Sequence, residues 1–161
     1  MDKKYSASCP FCNENVNRTQ FAESEKFWAI YNRAPILPGH SLVIPKQHYQ
    51  SIIELTDKEL CEMMVFSRKA LRILCKTFNV DAFNWTIQEG IAAGQTVPHL
   101  HLHLIPRKIG DLPEPGDWYP LLKRSDTEAV DSKSREQLTP EQMDSIVKKI
   151  RQVSIEVDNE K

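Results

Sequence analysis

Between Pro98 and Ile105 the chain alternates strictly: His99, Leu100, His101, Leu102, His103, Leu104. Successive side chains of a β-strand point to opposite faces, so this period of two places three leucines on one face and three imidazoles on the other. A strand over residues 99–105 is therefore expected. Its leucines turn to a core, and its imidazoles line the opposite surface about 6.5–7 Å apart. Thr, Lys or Glu would ordinarily fill such an outer face, so the histidines are chosen for their chemistry. Two chemistries stay open. Neighbouring imidazoles on a strand can chelate a metal, although the outer two, about 13 Å apart along the strand, are too distant to share one ion. Alternatively the central imidazole is a nucleophile, and its neighbours act as ligand, proton donor or orienter. No Asp or Glu occurs from Gly90 to Lys108 to serve as base beside a catalytic metal, which favours the nucleophile.

The rest of the chain supplies an α+β frame for this strand. Residues 27–32 and 83–88 are rich in aromatic and β-branched types and read as strands. The turn residues Pro35, Pro38 and Gly39 join the first of them to a hairpin partner at 41–44. Thr56 and Glu59 form a capping box that opens a helix of about twenty residues. Its apolar stripe is Leu60, Met63, Met64, Ala70, Leu71, Leu74 and Phe78. Thr139, Pro140 and Gln142 cap a last helix with Met143, Ile146, Val147, Ile150 and Val153 on one side. Residues 107–138 read as a long polar loop. The expected architecture is one domain, 1–161: an arm at 1–18, a core at 19–106, the loop, and a C-terminal helix at 139–158. An antiparallel sheet of about five strands packs on the long helix.

At 161 residues and 18.6 kDa the chain is the size of one domain. Twenty-one basic and 22 acidic residues leave a net charge of −1, so no basic field exists to hold a nucleic-acid backbone. No apolar run reaches the roughly 18 residues of a membrane span, and the opening residues lack the apolar region of a signal peptide. A cytoplasmic protein without nucleic-acid or membrane partners is expected.

Cys9 and Cys12 form a C-x2-C pair, which in a reducing compartment is metal-binding or redox-active. Cys9-Pro10-Phe11-Cys12 resembles a glutaredoxin active site, and Thr96-Val97-Pro98 resembles the cis-proline segment of that fold. That fold needs a strand before the first cysteine and a helix after the second. Only eight residues precede Cys9, and residues 13–19 show no amphipathic helix. A zinc site would need two more ligands, which His48 and one triad histidine could supply.

Gln88-Glu89-Gly90, Gly94-Gln95-Thr96-Val97-Pro98 and the alternating histidines resemble the signature of the histidine triad superfamily. Asn32-Arg33-Ala34-Pro35, Pro38-Gly39-His40 and Leu42-Val43-Ile44-Pro45 are similar to its ribose-binding strand and the turn after it. The likeness covers about residues 20 to 111. Gln88 and the stretch from Pro106 to Asp111 resemble the fragile histidine triad branch of dinucleoside polyphosphate hydrolases. The C-x2-C pair and His48 are instead similar to the zinc-binding bacterial members.

This resemblance implies a hydrolase that cleaves diadenosine tri- or tetraphosphate-like substrates at the α-phosphate through a nucleotidyl-histidine. His101 is the implied nucleophile and His103 the proton donor. Gln95 and loop N–H groups of Gly94, Thr96 and Val97 bind the non-bridging oxygens. Asn32 takes the ribose, Gln88 the phosphate or leaving side, Ile30 and Leu42 the adenine, and His40 orients the imidazoles. Cys9, Cys12, His48 and His99 are the implied ligands of a structural Zn2+, with no organic cofactor. Adenosine phosphoramidase, general nucleotidyl hydrolase, transferase or phosphorylase activity, and a nucleotide-binding signalling role, are the alternatives. A homodimer is also implied. Cys61, Arg68 and Cys75, seven apart on the long helix, mark a second face for the partner.

Overall fold

The computed structural model describes residues 9–12, 16–123 and 136–160. The helical turn α1 (Val16–Thr19) leads into β1 (Gln20–Glu23), β2 (Phe27–Tyr31) and β3 (Ser41–Pro45). A 3-10 turn at Ile52–Glu54 precedes the long helix α2 (Asp57–Phe78) and strand β4 (Ala82–Thr86). A second 3-10 turn, Ile91–Ala93, is followed by β5 (Leu102–Arg107). The short helix α3 (Trp118–Lys123) and the terminal helix α4 (Pro140–Asn159) complete the order. The sheet is antiparallel throughout, in the order β1-β2-β3-β5-β4. This is the expected α+β fold with five strands.

Each face of the sheet carries its own apolar cluster. Phe27, Ala29, Tyr31 and Val43 join Leu100, Leu102 and Leu104 beneath α2 and α4. On the other face Ile30, Leu42 and Ile44 gather with Val16, flanked by Phe11 and Trp28. The division follows the strand period of two, since Ile30 lies opposite Leu42 in the register between Ala29↔Val43 and Tyr31↔Ser41. The three leucines are at most 2 % exposed, and burying each contributes about 1.5–3 kcal/mol.

The capping box of α2 is present: the Thr56 hydroxyl accepts from the Glu59 N–H, and the Glu59 carboxylate accepts from the Thr56 N–H. The buried stripe differs in detail from expectation. Met63, Phe66, Ala70, Leu71, Ile73 and Leu74 face the core, whereas Met64 is 40 % exposed. The helix ends where Asn79 turns left-handed (φ 53°) and returns its N–H to the Cys75 carbonyl. Cys61 and Arg68 stay exposed and Cys75 half-buried, outside the core. Helix α4, capped by Thr139, buries Met143, Val147, Ile150 and Val157. Arg18 grips Asp144 with two hydrogen bonds, and Arg151 donates to the carbonyls of Asn17 and Gln20. The terminal helix is thereby tied to α1 and β1.

Two expectations are corrected. The strand of the histidines begins at Leu102, not His99, because β3 pairs only with Leu102, His103 and Leu104. Before that point the Leu100 N–H goes to the Tyr49 carbonyl instead, at 2.7 Å. The alternation of faces nevertheless persists through the irregular stretch. The strand also runs on through Pro106 to Arg107. Pro106 lies beyond the last β3 pair, Ser41↔Leu104, and has a strand neighbour only on the β4 side, an edge-like position where a missing N–H is tolerated. Within 107–138, expected as loop, a 3-10 turn at Pro115–Asp117 leads into α3. Arg107 organises the start of this segment, pairing with Asp111 and donating to the Asn84 side chain and the Pro115 carbonyl. Residues 124–135 of that loop lie outside the described residues, as does most of the arm. Among the described residues no helix is long and apolar enough to cross a membrane.

Candidate active site and metal centre

His103 stands on β5 directly opposite Leu42 on one side and Thr86 on the other. Its Nδ1 lies 3.0 Å from Nε2 of His40. His40 is fully buried in the turn before β3, and its Nδ1 accepts the Ile36 N–H at 3.2 Å. An imidazole that accepts at Nδ1 carries its hydrogen on Nε2, so His40 donates to His103 Nδ1. In the neutral ring of His103 the hydrogen then sits on Nε2. One backbone N–H, at Ile36, thus sets the tautomers of two imidazoles in series.

His101 is set by the opposite kind of partner. Its Nδ1 lies 2.7 Å from the His99 carbonyl, which can only accept, so Nδ1 bears the hydrogen. In the neutral ring Nε2 then presents a lone pair. The rings of His101 and His103 meet edge to face with centroids 5.0 Å apart. A nitrogen lone pair and an N–H donor therefore stand side by side, a pairing suited to nucleophilic displacement with a hydrogen bond donated to the leaving group.

His99, fully buried, turns the other way. Its Nε2–H donates to the Pro45 carbonyl at 3.0 Å. Nδ1 lies 3.3 Å from the Cys9 sulfur and 3.5 Å from that of Cys12. His48 Nδ1 is 3.2 Å from the Cys12 sulfur, and its ring stands edge-on to His99. One donor atom from each of these four residues lies within 4.8 Å of all the others. Burial lowers the His99 pKa to about 4, so its Nδ1 lone pair is available at neutral pH. Burial pushes the Cys9 thiol up to about 11. A buried thiol with so unfavourable an ionisation is deprotonated readily only by a cation that compensates the charge. The Pro45 carbonyl behind His99 is the outer hydrogen bond that metal-ligating histidines characteristically make. The group thus fits a tetrahedral Cys2His2 metal site.

The remaining expected residues surround this core unevenly. Asn32 accepts the Ala34 N–H through Oδ1 and brings Nδ2 to 3.5 Å from His40. Ile30 and Leu42 form the apolar floor beside the histidines. Gln88 is buried, its amide N–H donating to the Thr86 hydroxyl while Oε1 has no partner among the described residues. Gln95 is engaged within its own loop, accepting from the Gly90 N–H and donating to the Gln50 carbonyl. Gly94 takes φ +90° to close that loop; Thr96 is exposed and Val97 buried. Two residues escaped sequence reasoning. Phe11 packs edge-on against both His99 and His101, and its place between the metal-type cysteines was the available signal. Glu89 accepts from the Ser51 hydroxyl and the Ile52 N–H, joining the Gln88 loop to the turn before α2. Its place in the Gln88-Glu89-Gly90 stretch marked the segment, but not this bracing role.

Comparison with known proteins places this geometry among relatives. A family model described as the HIT domain matches residues 13–110. The chain is 43% identical over 98 residues to the bis(5'-nucleosyl)-tetraphosphatase (asymmetrical) of Schizosaccharomyces pombe, covering 61% of this chain and 54% of that protein. It is 38% identical over 91 residues to the bis(5'-adenosyl)-triphosphatase of Dictyostelium discoideum, covering 56% of this chain and 61% of that protein. The chain thus spans little more than half the length of these curated relatives. Among solved structures, a hypothetical histidine triad nucleotide-binding protein from Sulfolobus tokodaii superposes with TM-score 0.73 at 27% identity, over 93% of this chain and 94% of that one. A Zn-bound histidine triad family protein from Mycobacterium smegmatis gives TM-score 0.70 at 25% identity, over 96% and 98%.

Proposed function

The chain belongs to the HIT domain family, and from that premise we propose that it hydrolyses dinucleoside polyphosphates at the α-phosphate and releases AMP. The observation that carries this reading is the opposed tautomers of two touching imidazoles, a lone pair at His101 Nε2 beside a hydrogen at His103 Nε2. The names of the relatives in S. pombe and D. discoideum support the substrate class.

In the first displacement His101 Nε2 attacks the α-phosphorus, and the bond to the bridging oxygen breaks. His103 Nε2–H donates a hydrogen bond to that oxygen, which departs as the polyphosphate anion, and His40 holds the His103 ring from behind. The product is an adenylyl-histidine. Water, hydrogen-bonded beside His103, then attacks the same phosphorus. The P–N bond breaks to return the His101 Nε2 lone pair, and AMP leaves as the water's proton passes to solvent. Gln95 exchanges its loop bonds for the non-bridging oxygens, together with backbone N–H groups of Gly94, Thr96 and Val97. Asn32 holds the ribose hydroxyls, Gln88 the phosphate chain, and Ile30 with Leu42 the base. Cys9, Cys12, His48 and His99 hold zinc as a closed, structural site, a reading supported by the donor set and the Zn-bound relative. The chain works as a homodimer in the cytoplasm, with α2 and the sheet edges facing the partner. Light scattering should give twice 18.6 kDa.

The test is a mass spectrum of products from diadenosine tetraphosphate in 18O-labelled water. AMP carrying one labelled oxygen supports the scheme, whereas ADP with inorganic phosphate consumption would show phosphorolysis instead. His101→Ala should abolish turnover and leave nucleotide affinity within about tenfold, because the lost interaction belongs to the transition state. Wild-type turnover in that variant rejects the covalent route.

A further inference from the structure

Two separate contacts run from the metal-binding group to the ring of His101. One is the main chain of His99, whose side chain faces the cysteines while its carbonyl accepts the His101 Nδ1–H at 2.7 Å. The other is Phe11. Its ring centroid lies 5.6 Å from that of His99 at an interplanar angle of 88°, and 5.5 Å from that of His101 at 62°. Both are edge contacts of the kind aromatic rings prefer. A 180° flip of the His101 ring would swap Nδ1 with a carbon, break the bond to the carbonyl and turn Nε2 aside. The hydrogen bond to the carbonyl contributes about 1 kcal/mol against that flip. A ring packed against the imidazole opposes it sterically as well.

Among the described residues, Phe11 is held by the turn that carries it, by its flanking cysteines and by its own packing. Within residues 9–12 the Cys12 N–H donates to the Cys9 carbonyl at 3.2 Å and closes a turn. Beyond it stand the sulfur–imidazole contacts of the two cysteines and the packing of Phe11 against the Val16, Ile30, Leu42 and Ile44 cluster. The ring is flanked on both sides in sequence by candidate ligands. What fixes the four donors therefore fixes the ring.

We propose that Phe11 is a positioning residue for His101: anchored by a filled Cys9–Cys12–His48–His99 centre, it holds the imidazole in the Nδ1–H orientation that aims Nε2 at the substrate. The inference rests on His101 as the nucleophile of the preceding reading. It assigns the metal centre a part in setting kcat, beyond stabilising the fold.

The experiment uses full-length protein labelled with 15N-histidine and loaded with zinc, without nucleotide. Long-range 1H–15N spectra of the wild type should show His101 as one Nδ1–H tautomer. In Phe11→Leu, with one zinc per chain still bound, the two His101 nitrogens should move to averaged shifts. On diadenosine tetraphosphate the same variant should lose at least tenfold in kcat with KM within threefold, and Phe11→Tyr should restore both readouts. Chelator-stripped wild type should show the averaging of Phe11→Leu. An unchanged His101 pattern in Phe11→Leu overturns the proposal. So does a raised KM at unchanged kcat, which would make Phe11 a wall of the nucleotide pocket only. A stripped wild type that keeps the single tautomer removes the metal from the account. Failure of the hydrolase reading itself, with no turnover by wild type, leaves the spectra to decide the positioning role separately.

Discussion

Gly39 immediately precedes His40 and holds φ +90°, a left-handed conformation that side chains other than glycine's adopt at a cost. A Cβ at this position would lie 2.7 Å from Pro106 Cγ and 3.0 Å from Phe78 Cδ2. Both neighbours are packed, so Gly39→Ala combines backbone strain with overpacking, about 2–4 kcal/mol of stability. The displaced turn also carries His40 and, through it, the tautomer of His103. Gly39→Ala should therefore lower kcat more than it raises KM, checked by urea unfolding alongside steady-state kinetics. At this scale the sequence was partly legible. The five histidines, the asparagine and the C-x2-C pair announced themselves through type and spacing. The partners that tune them did not, because the Ile36 N–H, the His99 carbonyl and the Pro45 carbonyl are backbone groups that every residue possesses. Only the fold decides which imidazole they meet.

Helix α2 begins on a carboxylate with several tasks. Glu59 closes the capping box at Thr56, accepts from the Tyr49 hydroxyl and pairs with Lys26 at 2.9 Å. The Lys26 ammonium and the Thr56 donors hold its carboxyl down at about 2. A carboxyl depressed in the folded state stabilises the fold fully above its unfolded value near 4.5, and that contribution is lost as pH falls through about 2. Lys26 is 42 % exposed, so solvent screening limits the pair, and Glu59→Gln should cost about 1–2 kcal/mol at pH 7. The gap between the two proteins should close between pH 4.5 and 2, read from urea midpoints at pH 7, 4 and 2.5. Both long helices were legible because Thr56 with Glu59 and Thr139 with Gln142 are local signals that the structure honours. Strand β1 was not: it has four residues, of which only Phe21 is buried. The start of β5 was misplaced because Tyr49, far from the pattern in the chain, competes for the Leu100 N–H.

The whole molecule is a partition. One face of the sheet is dry and covered by helices; the other carries the imidazoles and the segment from Cys9 to Cys12. Among the described residues that segment reaches the sheet at the four-donor centre and through the packing of Phe11, so removing the metal should loosen it. Elemental analysis should give one zinc per chain, lost in Cys12→Ser, with a fall of several degrees or more in Tm on chelation. A metal-free wild type of unchanged Tm would reject the site.

The strand order carries a further consequence, one of timing. Central strands β3 and β5 are neighbours in space, yet the whole of α2 and β4 lies between them in the chain. Such a pairing closes a long loop, and the entropy of closure makes it a slow event in folding. Cys9 and Cys12 are adjacent from the start, whereas His99 arrives from ninety residues away, and only once that pairing has formed. A cation met early finds two sulfurs; four donors exist only in the finished topology. Refolding followed by metal uptake should therefore show tight binding appearing with the last phase of sheet formation, which makes the ion a clock for the completion of the fold.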